Sequence, residues 1–174
     1  MRYVYPVVSR RAGGVSVGIN LNPNNACNWR CIYCQVPDLT LGTAPAIDLA
    51  VLENELRVFL DGLLHGDFMQ TRVPEGARRI NDIALSGNGE PTSSAEFARV
   101  IELIARVRAE VDLPEAVKTV LITNGSLLYR SDQWKQKLIA ANATQVVLVV
   151  ATEPAFSDEL ISRATVAALH EHMR

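Results

Sequence analysis

The sequence lacks several features that would place it in a specialised class of protein. Its 174 residues include 17 lysines and arginines against 19 acidic residues. This balance gives no electrostatic argument for a nucleic-acid or membrane-surface partner, although a local basic patch could still hold an RNA. No apolar run approaches the roughly 18 to 20 residues that span a bilayer. There is no internal repeat and no low-complexity segment, which argues against a solenoid or a propeller.

The N-terminal segment also lacks the marks of a secretory signal peptide. Residues 1–17 contain arginines but no continuous apolar run and no small-residue cleavage site. We therefore expect a cytoplasmic protein with no membrane partner. The composition, 48% hydrophobic and 21% charged, is typical of a globular domain that can bury one core. It predicts a single domain over residues 1–174.

Cysteine is scarce, and its placement is informative. The chain has three cysteines, Cys27, Cys31 and Cys34, and all lie within one short stretch. An odd number so close together is a poor disulfide framework, and in a reducing cytosol clustered thiols are more often metal ligands or redox groups. Three unrelated core cysteines are the alternative, but those belong on apolar faces of elements. A closed zinc site would need a fourth ligand, and the three histidines show no finger-like spacing.

Strand-like and helix-like segments alternate along the chain. Strands are predicted at residues 15–21, 80–85, 117–122 and 146–150. Helices are predicted from Asp48 to about Leu64, through 97–107 after a Ser93–Glu96 capping box, from Ser131 to about Ala141, and from Ser157. Strands that are apolar on both faces, alternating with amphipathic helices, indicate an α/β fold with a parallel (βα) repeat. About four strand–helix units are present.

Polar, glycine-containing segments follow the predicted strands. They are the cysteine segment, residues 87–92 and residues 123–126. In parallel folds such loops meet at the carboxyl edge of the sheet, where ligands bind. The sequence therefore predicts one site that contains all three segments.

The cysteine spacing, Cys-x3-Cys-x2-Cys with Tyr33 before the last cysteine, resembles the signature of the radical SAM superfamily. By that resemblance, Cys27, Cys31 and Cys34 bind a [4Fe–4S] cluster, and the iron without a cysteine ligand is chelated by S-adenosylmethionine. The cluster then cleaves this cofactor to a 5′-deoxyadenosyl radical, which abstracts hydrogen from a substrate. The resemblance also implies an incomplete radical-SAM-type partial TIM barrel.

Two further segments extend the resemblance. Gly87-Asn88-Gly89-Glu90 is similar to the Gly-Gly-Glu motif that holds the amino group of the cofactor, and Gly-x-Gly-Glu-Pro-Thr resembles radical SAM proteins related to the wyosine (tRNA-modifying) synthetases. The resemblance makes Asn124 a ribose or substrate contact. Tyr33, beside the cysteines, is expected either to contact the cofactor or to be an ordinary buried aromatic side chain. The alternative for residues 87–92 is a strand-to-helix turn, with Glu90 placed favourably for the helix dipole.

The implied function is that of a radical SAM enzyme, an oxidoreductase with an unknown substrate, for which tRNA base modification is the first expectation. Expected partners are a flavodoxin- or ferredoxin-like electron donor, a tRNA, and a second copy or another chain that completes the barrel. The alternatives are a glycyl-radical activating enzyme and a non-catalytic Fe–S or zinc-binding remnant. The later strands of the family are missing and residues 145–174 depart from its pattern. We therefore expect a domain truncated at its C-terminus or frame-shifted, a naturally minimal member, or a fragment that a partner or self-association completes.

Overall fold

The computed structural model describes residues 1–9, 13–29, 31, 34, 36–125 and 127, together with the backbone of 145–148. The strands are β1 (Val4–Ser9), β2 (Gly14–Ile19), β3 (Ile80–Leu85), β4 (Lys118–Thr123) and β5 (Gln145–Leu148). The α-helices are α1 (Leu49–Leu64), α2 (Phe68–Arg72) and α3 (Phe97–Glu110), and short 3-10 helices lie at Glu75–Ala77 and Pro91–Ser93. The five strands form one sheet in the order β1-β2-β3-β4-β5.

The sheet is mixed. Strands β2 to β5 run parallel, whereas β1 pairs antiparallel with β2, with Tyr5 opposite Gly18. Only residues 10–13 separate β1 from β2, and a parallel crossover needs a dozen or more residues, so this pair must be a hairpin. The prediction of a purely parallel repeat is therefore wrong at β1, a strand that the sequence pattern did not predict.

The core lies between the sheet and helices α1 and α3, which contact each other. Apolar spacing predicted both helices correctly, and the predicted residues Leu56 and Leu60 of α1 and Val100 and Ile104 of α3 are buried. Strand β2 is buried along its whole length. Asp48 begins α1 as predicted, because its carboxylate accepts the N–H groups of residues 50 and 51, both at 3.1 Å.

The start of α3 differs from the prediction. Ser93 lies in the 3-10 helix that begins at Pro91, and its hydroxyl donates to the carbonyl oxygen of Glu90 at 2.7 Å. Glu96 precedes α3 but makes no side-chain capping hydrogen bond. The predicted Ser93–Glu96 capping box is therefore wrong, because the 3-10 turn takes Ser93 away from the helix that it was expected to cap.

The beginning of β1 is held by a carboxylate on α1. Glu55 accepts the backbone N–H groups of Arg2, Tyr3 and Val4 at 2.6, 2.8 and 3.1 Å. Burial alone would raise the pKa of Glu55, but the three backbone donors together lower it below its usual range. This carboxylate therefore fixes the edge strand to the helix layer.

Several predictions lie beyond these residues. The helices predicted from Ser131 and from Ser157 are outside the described residues, and the single domain over 1–174 stays a prediction. The strand predicted at 146–150 is found as β5. In the described ranges, no helix is long and apolar enough to cross a membrane.

Candidate functional site

The described carboxyl ends of β3 and β4 border a cavity of about 400 Å³. One part of the lining, the thiol wall, carries the three cysteines together with Trp29 and residues 36, 37 and 39. The other part, the strand wall, consists of residues 86–90 after β3 and residues 122–124 at the end of β4. The structure thus brings together the cysteines, the Gly-Asn-Gly-Glu segment and Asn124, whose binding roles stay predictions. Tyr33 lies outside the described residues.

The three thiols differ in exposure. Cys27 is buried, Cys31 is half-buried and Cys34 is exposed. The N–H of Cys27 donates to the carbonyl of Thr40 at 2.9 Å, and the N–H of Cys34 donates to the carbonyl of Cys31 at 3.0 Å. Within the described residues, no three His, Cys, Asp or Glu side chains lie close enough together to hold a metal ion. The thiols therefore line the same cavity without converging on one point.

Glu90 is buried, with 4% of its surface exposed, and its carboxylate is already engaged by the protein. One oxygen accepts from the N–H and hydroxyl of Thr92 at 3.2 and 2.5 Å and from the hydroxyl of Thr123 at 2.6 Å. The other oxygen accepts from the N–H of Asn124 at 2.8 Å. Glu90 thus joins the loop after β3 to the end of β4, and a ligand amino group would have to compete with four hydrogen bonds.

Asparagine side chains connect the two walls, a feature that the sequence analysis missed. The Asn20 side-chain oxygen accepts the N–H groups of Asn22 and Asn88 at 2.9 and 3.1 Å. The Asn88 amide donates to the Asn25 side-chain oxygen at 2.6 Å, and the Asn22 amide donates to the Ala26 carbonyl at 2.7 Å. The available signal was the run of asparagines between residues 20 and 28.

The glycines of the 86–90 loop make this contact sterically feasible. Gly87 has φ +138°, a conformation that L side chains rarely adopt. A Cβ on Gly89 would lie 2.4 Å from the side-chain carbon of Asn22. The resemblance predicts that these glycines belong to a motif that holds the amino group of a cofactor. In the structure they let the backbone approach the asparagine side chains.

Tyr5 of β1 reaches the cavity wall from the edge strand. Its ring lies against Gly18, where a Cβ would be only 2.4 Å from the ring, and its hydroxyl hydrogen-bonds with the hydroxyl of Ser86 at 2.8 Å. The hairpin therefore fixes Ser86 at the cavity. Since β1 was not predicted, no local sequence signal pointed to this contact.

Comparison with known proteins finds relatives among GTPases. The chain is 30% identical over 135 residues to the GTPase Obg of Brachyspira hyodysenteriae, a match that covers 78% of this chain and 17% of the relative. It is 60% identical over 48 residues to the small ribosomal subunit biogenesis GTPase RsgA of Nitrosospira multiformis, covering 28% of this chain and 15% of the relative. It is 36% identical over 106 residues to RsgA of Burkholderia pseudomallei, a match that covers 59% of this chain and 34% of the relative.

These matches cover parts of longer proteins: the chain spans between 15% and 34% of the length of these three relatives. No family model matches the chain. No solved structure matches it either.

The relatives contradict the resemblance to the radical SAM superfamily, and the predictions built on it are corrected. These are the radical SAM enzyme activity, the oxidoreductase class, the [4Fe–4S] cluster and S-adenosylmethionine as cofactors, the radical-SAM-type partial barrel, and the alternatives of an activating enzyme or a remnant of a radical SAM enzyme. The relatives do not test whether Cys27, Cys31 and Cys34 are metal ligands, so that assignment stays a prediction. Two structural facts agree with the correction of the cofactors. The described thiols do not converge on a point, and the Glu90 carboxylate is occupied by Thr92, Thr123 and Asn124. Short motifs such as these are weak evidence when the surrounding context differs.

Proposed function

We propose that this chain binds a thiophilic metal ion of the zinc class through Cys27, Cys31 and Cys34. The observation that carries the proposal is that all three cysteines of the chain line one cavity at the carboxyl ends of the parallel strands β3 and β4. Thiolates are preferred ligands of borderline and soft ions, and this edge is where α/β folds bind ligands.

Binding requires the thiols to move together, because they do not converge in the structure. Cys31 and Cys34 are already joined by a backbone hydrogen bond, which limits how far these two residues can separate. A zinc ion holds its sulfur ligands at about 2.3 Å, and the binding energy can order the segment that supplies them. Three thiolates leave the fourth tetrahedral position for water or for a small ligand in the cavity.

The proposed compartment is the cytoplasm, where reducing conditions keep clustered thiols available for a metal. The partners expected from the sequence, namely an electron donor, a tRNA and a second chain, stay predictions.

Metal analysis of the reduced protein tests this function. Elemental mass spectrometry of zinc and iron, with a Co²⁺ titration followed by absorption, should show one ion per chain and thiolate-to-cobalt charge transfer. Each of Cys27→Ser, Cys31→Ser and Cys34→Ser should weaken binding by about tenfold or more. His65→Ala is the matched control, because it removes an exposed ligand type outside the cavity lining. Absence of bound metal in reduced protein, or equal binding by the triple serine variant, would contradict the proposal.

Guanine-nucleotide binding is the second candidate, and it is favoured by the names of the relatives. The sequence and the described cavity lining do not fit it. The sequence contains no Gly-x-x-x-x-Gly-Lys-Ser/Thr phosphate loop, and the described residues that line the cavity include no lysine or arginine to face a triphosphate. Guanine-nucleotide binding is therefore supported by sequence identity with GTPases and not by the residues that line the cavity.

A titration with a fluorescent GTP analogue and Mg²⁺ separates the two candidates. We expect no saturable binding up to about 1 mM nucleotide, with the triple cysteine variant behaving like the wild type. Saturable binding at micromolar nucleotide would favour the second candidate, and its loss in the triple variant would place the nucleotide in this cavity.

A further inference from the structure

We infer that Asn88 is a positioning residue that holds Cys27 in place at the cavity, an inference that rests on the proposed metal-binding function. Asn88 belongs to the 86–90 loop but is bonded to residues that precede the cysteines. Its side-chain amide donates to the Asn25 side chain at 2.6 Å, and its backbone N–H donates to the Asn20 side chain at 3.1 Å. The Asn88 side chain, which the resemblance assigned to cofactor binding, therefore makes a hydrogen bond within the protein.

Only Ala26 separates Asn25 from Cys27, and both residues are hydrogen-bonded to the backbone of Thr40. The Asn25 carbonyl accepts the N–H of Thr40 at 2.9 Å, and the Thr40 carbonyl accepts the N–H of Cys27 at 2.9 Å. Asn22, which is 1% exposed, holds the intervening Ala26 by its carbonyl. A displacement of Asn25 therefore moves the backbone of Cys27 with it.

Asn25 needs such support because of its own conformation. Its φ is +54°, in the left-handed region that residues other than glycine rarely adopt, although asparagine tolerates it better than most. The hydrogen bond from Asn88 favours this conformation by fixing the Asn25 side chain. Since the thiols must come together on binding, a pre-placed Cys27 reduces the ordering that the metal has to supply.

The test uses the full chain with Co²⁺ as the probe and Zn²⁺ as the competitor. Asn88→Ala removes the side-chain donor and should weaken Co²⁺ binding roughly fivefold, about the effect of one lost hydrogen bond. It should also reduce the thiolate charge-transfer absorption per bound ion, a signature that loss of stability alone does not produce. Asn25→Asp keeps the acceptor and tolerates the left-handed conformation, so it should bind and absorb like the wild type. Asn81→Ala changes an asparagine outside the cavity lining and is the matched control.

The outcomes separate this inference from the proposed function. If the wild type binds neither ion, the metal-binding function fails. If the wild type binds but Asn88→Ala matches it in affinity and spectrum, metal binding stands and the positioning role is wrong. An equal loss in Asn81→Ala would likewise overturn the positioning role, because the effect would then be general. If Asn88→Ala does not fold, Asn88→Ser, whose side chain is too short to reach Asn25, gives the same comparison.

Discussion

The two walls of the cavity are held in different ways. On the strand wall, the Glu90 carboxylate accepts four hydrogen bonds from three residues, and Ser86 is fixed by the hydroxyl of Tyr5. On the thiol wall, the N–H of Cys27 donates to the carbonyl of Thr40, whereas the N–H of Cys34 donates to the carbonyl of Cys31 on the same wall. The two walls also differ in exposure to solvent: Glu90 on the strand wall is buried, whereas Cys34 on the thiol wall is exposed.

This difference indicates a division of roles. The strand wall is fixed without a ligand, whereas the proposed metal binding requires Cys31 and Cys34 to move towards Cys27. Changes in the strand wall should therefore lower the stability of the fold, and changes in the exposed thiols should alter binding while leaving stability nearly constant. Comparing urea unfolding with metal binding for variants on each wall tests this division.

The largest loss of stability is expected for Glu90→Gln. The substitution replaces one acceptor oxygen with an amide that faces hydroxyl and N–H donors of Thr92, Thr123 or Asn124. A buried charge-assisted network that loses an acceptor should cost about 3 kcal/mol of the free energy of unfolding, measured by urea denaturation. Glu115→Gln, an exposed carboxylate between α3 and β4, is the control and should cost little. Equal stability of Glu90→Gln and the wild type would show that the strand wall is not held by this carboxylate.

Gly89→Ala should follow, with a loss of about 2 kcal/mol. The new methyl group would lie 2.4 to 2.8 Å from three atoms of the buried Asn22 side chain, which is itself bonded to Ala26. Either the 86–90 loop or Asn22 must move. Gly76→Ala is the matched control, because a Cβ there meets nothing within 4 Å. If both variants unfold at the same urea concentration, the contact between the walls is looser than the structure shows.

Much of the sheet and helix layer was predictable from the sequence, because elements with a buried face show a regular pattern of apolar residues. Helices α1 and α3 and strands β3 and β4 were found from the spacing of their apolar residues, within one or two residues at their ends for the strands. Strand β1 was missed because Pro6 interrupts it and Val7 and Val8 are exposed, at 40% and 46%. A proline is tolerated there because β1 is an edge strand, a fact that depends on the sheet and not on the local pattern.

The candidate site was predictable in its position but not in its internal contacts. Loops after parallel strands meet at one edge whatever their composition, so the meeting of the cysteines with residues 87–90 followed from topology. The partners of Glu90 did not, because Thr123 and Asn124 lie at the end of another strand, more than 30 residues away in the sequence. A pattern of residue types does not show whether a carboxylate faces a ligand or another part of the chain.

Acid should lower the stability of the fold by protonating Glu55, the α1 carboxylate that holds the start of β1. Its pKa is lowered in the folded protein, so its stabilisation is fully present above its ordinary pKa of about 4.3 and is lost as the pH falls through the lower folded value. Glu55→Gln should cost about 1.5 kcal/mol near neutral pH, since three backbone donors lose a charged acceptor. The difference in unfolding free energy between wild type and variant should shrink below about pH 4. A constant difference down to that pH would mean that the carboxylate charge does not stabilise β1.

The smallest change in stability is expected for Cys34→Ser. This variant separates the effect on binding from the effect on stability most clearly. Cys34 is exposed, so replacing its sulfur with oxygen should change the free energy of unfolding of the metal-free protein by less than about 0.5 kcal/mol. The same variant should lose most of its Co²⁺ affinity, because the exposed thiol supplies one of only three thiolates. Cys27→Ser provides the contrast, since Cys27 is buried and its replacement should lower both stability and binding. If Cys34→Ser destabilises the metal-free fold as much as Cys27→Ser does, the exposed thiol is already part of the fixed structure, and the two walls do not divide the roles of stability and binding.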